Sequence, residues 1–137
     1  MEEHFNLNDD EFEQQFESCE LDPALSTHEA HLRLAYIHIE KYGREKAIEN
    51  VCNQLMAYVN HVGATEKYNT TLTVAAVKAV YHFMQKSTAS CFQDFITEFP
   101  QLKSDFKRLM QCHYGIDIFN SQKAKSTFLE PDLLPFD

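Results

Sequence analysis

"STHEAHLRLAYIHIEKYG", residues 26–43, is the stretch whose reading decides the fold. Leu32, Ala35 and Ile39 recur at three- and four-residue spacing, the pattern of an amphipathic helix. Ser26 with Glu29 three residues later forms a candidate capping box, and Gly43 supplies the stop. Stepped at roughly 100° per residue, His28 falls on the inward face with Leu32, Ala35 and Ile39. Glu29, Arg33 and Glu40 gather on the opposite flank with Ala30 and Ile37, while His31, His38 and Tyr42 run along the edge. An inward imidazole needs a partner, because leaving it unpaired costs about 1–3 kcal/mol.

Working outward, "REKAIENVCNQLMAYVNHVG" (44–63) follows with no linker. Its stripe Ile48, Val51, Leu55, Tyr58 and Val62 is helical, Gly63 ends it, and so short a connection sets the two helices antiparallel. A third helix lies within "ATEKYNTTLTVAAVKAVYHFMQKS" (64–87), with Asn69 or Thr70 as N-cap and Leu72, Ala76, Ala79 and Phe83 as inner stripe. Ser90 with Gln93 marks the start of "SCFQDFITEF", Pro100 interrupts, and the pattern resumes until Gly115. A helical turn at Ser121–Ser126 precedes a tail whose Phe128, Leu129, Leu133, Leu134 and Phe136 are expected to lie across the bundle. Upstream, "NDDEFEQQFESCE" (8–20) has Asn8 as N-cap and Phe12 and Phe16 four apart. It reads as a short helix docking two phenylalanines, or as an acidic lure for a basic partner.

The expected fold is all-α: a compact bundle of about five helices with up-down connections, in one domain spanning 1–137. Residues 1–22 form an acidic arm, 26–115 the helical core and 116–137 the tail. Only three glycines and four prolines occur in 137 residues, and 44% hydrophobic with 24% charged residues suits a water-exposed globular surface. No segment has the length or apolarity of a membrane span or leader, so a cytoplasmic protein is expected. Cys19, Cys52, Cys91 and Cys112 contain no C-x-x-C and are read as reduced thiols.

The net charge of −9 becomes informative once it is localised. Nine of the 21 acids lie in residues 1–22, which carry no Lys or Arg; the other 12 acids face all 12 basic residues. The body is neutral and has no basic stripe for a phosphate backbone, which argues against a nucleic-acid partner.

If the first three long helices run up, down and up, one end of the bundle collects His28, His31, Tyr58, His61, Tyr68, Asn69, Thr71 and Thr73. Three readings stay open there. His28 and its neighbours form a structural hydrogen-bond network; or His28, His31, Tyr68, Asn69, Thr71 and Thr73 line a pocket for a small ligand or anion; or His28 and His31 serve an acid–base or metal-dependent enzyme, with His61 as a third metal ligand. "HEAH" is one residue short of H-E-x-x-H, so metalloprotease geometry is missing. No glycine-rich phosphate loop, nucleophile elbow or paired-carboxylate motif appears, and the sequence leaves any cofactor unknown. His38 and His82 are expected on solvated flanks. Cys112 and His113, as helix neighbours, point apart.

With these residues in view, the chain resembles a family of small bacterial all-helical proteins with no established activity. The shared patterns are H-x-x-H-L-R-x-A, K-Y-[HN]-x-T-x-T and P-D-L-x-P, here "HEAHLRLA" (28–35), "KYNTTLT" (67–73) and "PDLLPF" (131–136). The resemblance implies a site around the first two motifs and says nothing of its chemistry. Relatives often carry histidine where this chain has Asn69, which weakens a metal or catalytic role here.

Overall fold

The computed structural model describes residues 1–136. Among them every regular element is helical: α1 Asp9–Glu17, α2 His28–Tyr42, α3 Arg44–His61, α4 Thr70–Met84, α5 Phe92–Glu98, α6 Gln101–Ser104, α7 Phe106–His113 and α8 Gln122–Ser126. Short 3₁₀ turns cover Glu3–Asn6, Pro23–Leu25 and Thr65–Lys67. Among the described residues no helix is long and apolar enough to cross a membrane.

Helix α2 is the axis of the fold. It packs against α1, α3, α4, α5 and α6, and every residue from Leu32 to Ile39 is buried. The expected polar flank is therefore no flank at all: Glu29 and Arg33 are buried beneath the N-terminal segment and α6, and only Glu40 reaches solvent. His38, expected to be solvated, is 1% exposed. Helix α1 lies over it, with Glu13 4.0 Å away, and Asn50 Nδ2 of α3 donates to its Nδ1 at 3.3 Å. His82 is half-buried, edge-on to Phe83.

Local signals place several helix ends where the sequence has them. Asn8 accepts from Glu11 N and Glu11 returns the bond, a complete capping box. Asn69 caps α4 and Ser121 caps α8. Gly43 closes α2 at φ 84° and opens α3 in the same residue. Two expected caps are otherwise. Thr27, not Ser26, caps α2 by accepting from Ala30 N, and Ser26 Oγ bonds His31 instead. Helix α5 begins after Cys91 with no side-chain cap, so Ser90 and Gln93 form no box. The stretch after Pro100 is two helices, broken where Asp105 leaves helical geometry at φ −139°, ψ 30°.

The core is one continuous cluster to which α1 contributes Phe12 and Phe16, both fully buried. The acidic arm is thus part of the globule. Helix α4 departs from its expected stripe: Val74, Ala75, Val77, Ala79 and Val80 are buried, while Leu72 and Ala76 are only half-buried. The tail is split as well. Phe136 is buried, Leu129 packs on the core and Phe128 lies under Lys78, but Leu133 and Leu134 stay exposed.

Candidate functional site

The starts of α2 and α4 border a cavity of about 220 Å³ whose wall is mainly aliphatic, including Leu32, Ala35, Val51, Leu55, Leu72 and Val77. Phe106 of α7 and Phe119 add aromatic surface. Of the polar residues picked from sequence, the structure brings His28, His31, Tyr68, Asn69 and Thr73 to this wall, joined by Lys67.

Three named residues are elsewhere. Thr71 faces the C-terminal tail, where Oγ1 donates to Thr127 O at 2.9 Å and accepts from Leu129 N at 3.1 Å. His61 is exposed at the end of α3 and does not line the cavity, so it joins no metal set with His28 and His31. Tyr58 is buried against α1, and its hydroxyl donates to Leu21 O at 2.8 Å.

His28 corrects the wheel. It is exposed rather than buried in the bundle, because it is the first residue of α2 and its inward direction meets the end of the helix pack. Its Nε2 donates to Leu102 O at 3.0 Å, and its ring lies 4.7 Å from that of Phe106. His31, one turn on, is half-buried, with Nε2 2.9 Å from Ser26 Oγ and its ring edge-on to Phe16. Burial pushes its pKa down to about 4, and neighbouring His28 adds a smaller push in the same direction.

Asn69 and Thr73 already have partners within the protein. Asn69 Oδ1 accepts from Leu72 N at 3.0 Å while Nδ2 donates to Ile118 O at 2.8 Å. Thr73 Oγ1 donates to Asn69 O at 2.8 Å. Burial raises the Tyr68 hydroxyl to about 12, with Thr70 and Cys52 close to it. These side chains fix the start of α4 and the loop after α7 before they can address anything in the hollow.

A second polar cluster lies on the other side of α2, where Glu29 and Arg33 of "HEAHLRLA" meet residues of the N-terminal segment that no motif marks. His4 is 1% exposed, and its Nε2 donates to Glu29 Oε1 at 2.7 Å. Arg33 Nη1 donates to His4 O at 2.7 Å and approaches His4 Nδ1 at 3.4 Å; Nη2 donates to Leu7 O and Asp9 Oδ1, each at 2.9 Å. The guanidinium carbon lies over the rings of Phe12, at 4.5 Å, and Phe5, at 5.3 Å. Burial holds His4 below the usual imidazole pKa despite Glu29, so it serves as a neutral Nε2–H donor near neutral pH. Glu2, His4 and Glu29 bring three donor atoms within 4.8 Å of one another, a set a divalent ion could use. Lys103 Nζ already bridges the two carboxylates, at 3.0 Å from Glu2 and 2.9 Å from Glu29, and supplies the positive charge there. Nothing in the sequence advertised His4: it lies in a non-periodic segment 25 residues from its partner.

Comparison with known protein families, with curated proteins and with solved structures finds no match to this chain.

Proposed function

We propose that this protein is a binding module for a small, mainly apolar molecule held in the cavity between the starts of α2 and α4. The reading takes α2, α3 and α4 as running up, down and up, so that "HEAHLRLA" and "KYNTTLT" form facing walls. The observation that carries it is the mismatch between the two kinds of lining. The aliphatic surface has no packing partner across the hollow, whereas Asn69 and Thr73 have their hydrogen bonds within the protein. A ligand gains from covering the former and finds little to pair with in the latter. Catalysis by His28 and His31 is less favoured, because both imidazoles have Nε2 engaged.

Benzene fits an engineered cavity of about 150 Å³. A hollow of about 220 Å³ therefore suits a ring with a short substituent, of about nine or ten heavy atoms. Ligands of that size bind with dissociation constants between about 1 μM and 1 mM. Titrating the intact chain with indole, followed by amide NMR, is expected to shift the signals of Leu32, Leu72 and Val77 while leaving those of α5 in place. Ala76→Leu, which puts a side chain into the hollow from its half-buried wall, is expected to abolish those shifts without unfolding the protein. Indole shifts that survive in Ala76→Leu, or none in the native chain at millimolar indole, would overturn the reading.

A further inference from the structure

The charges around the cavity go further than its shape. We infer that the ligand is a small monoanion, an apolar body ending in one carboxylate, whose charged end is met by Lys67. This rests on the binding reading above.

The chain carries 21 acids against 12 basic residues, yet no Asp or Glu is among the residues that line the cavity. The ionisable ones there are His28, His31, Lys67 and Tyr68. Lys41 pairs with Glu13, Lys46 with Glu49, and Lys103 with Glu2 and Glu29, whereas Lys78, Lys86, Lys107, Lys123 and Lys125, like Lys67, have no ion pair among the described residues; of all these lysines it is Lys67 that lines the cavity. Lys67 ends the 3₁₀ turn Thr65–Lys67, is exposed, and makes no ion pair among the described residues. An ammonium without a counter-ion at the lip of an apolar hollow selects the ligand that brings one. It repels a cationic ligand and is indifferent to a neutral one.

The inner wall fixes the rest of the molecule. With Asn69 and Thr73 bonded internally, a sugar or other polyol would bury hydroxyls against aliphatic carbon with no partner, at a cost for each. A phosphate ester would meet a single lysine rather than the cluster of cations such a dianion requires. One apolar body and one anionic head remain. The helix starts of α2 and α4 add positive potential at the same end, a smaller contribution in the same direction.

The test uses a matched pair on the intact chain: phenylacetate and its neutral isostere phenylacetamide, with phenethylamine as the cationic counterpart, titrated by NMR at low ionic strength. The expected result is that phenylacetate binds about fivefold more tightly than phenylacetamide, the upper end for an exposed ion pair, and that phenethylamine is weakest. Lys67→Gln is expected to remove the preference for the acid over the amide, and added salt to shrink it in the native chain. Equal affinities for acid and amide, or a preference that survives Lys67→Gln, would overturn the monoanion inference and leave the cavity reading standing. Binding of none of the three, together with no response to indole, would remove both.

Discussion

On one side of α2, Glu29 and Arg33 meet His4, Asp9 and Lys103 in a set of hydrogen bonds that leaves Arg33 Nε unpaired; on the other, His28, His31 and Lys67 border a hollow that no carboxylate enters. The two sides belong to the same helix and carry similar residue types. They differ in what covers them. The N-terminal segment and α6 press charged partners onto Glu29 and Arg33, and burial is tolerated because each charge is matched. On the cavity side, Phe106 and Phe119 leave space instead, and the polar groups turn away from it toward backbone carbonyls. A polar cluster in a small helical protein is thus a poor guide to function until its partners are counted. The charge-matched cluster serves the fold; the other side, with its lysine beside apolar surface, is the one proposed above to take a ligand.

The comparison breaks most readily at Arg33. Arg33→Met removes the donor to Leu7 O and the ion pair with Asp9, while His4 O keeps Leu7 N and Asp9 stays in water, and is expected to lower stability by about 2–3 kcal/mol in urea unfolding; Lys67→Gln on the cavity side should stay within about 0.5 kcal/mol. A near-neutral Arg33→Met would show that the charge-matched cluster does not hold the N-terminal segment down.

Acid sharpens the contrast next. The folded pKa of His31 lies at about 4 against 6.5 for the free side chain, so between these values the unfolded chain binds more protons than the folded one. The His31 contribution is complete above pH 6.5 and falls away as pH drops toward 4, by up to about 3 kcal/mol. Burial also lowers the pKa of His4 and His38, so both act in the same direction. Denaturation midpoints across this window should decline, and His31→Gln should flatten the curve without making it level. A native chain with constant stability from pH 7 to 4.5 would contradict the burial described for all three rings.

The smallest effect belongs to the hollow itself. Beyond blocking ligand, Ala76→Leu is expected to raise stability by about 0.5–1 kcal/mol, since added methyl and methylene groups contact wall atoms that now face empty space. A loss in calorimetric melting temperature would mean that the wall is already packed.

Much of this architecture was legible because it is locally encoded. Asn8, Asn69 and Ser121 cap the helices they precede, Gly43 ends α2, and Phe12 with Phe16 dock as their spacing implies. What could not be read was long-range coverage. A wheel locates the apolar stripe, but the shielding of Glu29, Arg33 and His38 depends on segments folding back from elsewhere in the chain. Ser26 and Glu29 fit a capping box by spacing, yet each bonds another side chain instead, His31 and His4 respectively. Thr71 is different, because its displacement follows from geometry. Two residues from Asn69 and two from Thr73, it stands about 200° round the helix from either, so a face that holds those two excludes it. Lys67 stands in "KYNTTLT" without a role, because only the fold shows that it borders a cavity lined by no carboxylate.

Gly43 has a consequence beyond ending a helix. Its φ of 84° and ψ of 167° lie in a region essentially closed to side-chain-bearing residues, and this single position is shared by α2 and α3. The corner between α2 and α3 therefore has no slack. A descendant of this sequence can drift at the exposed face of α3 almost freely, but at position 43 it must keep glycine or insert extra chain, and insertion would re-aim α3 and deform the chamber that Val51 and Leu55 help enclose.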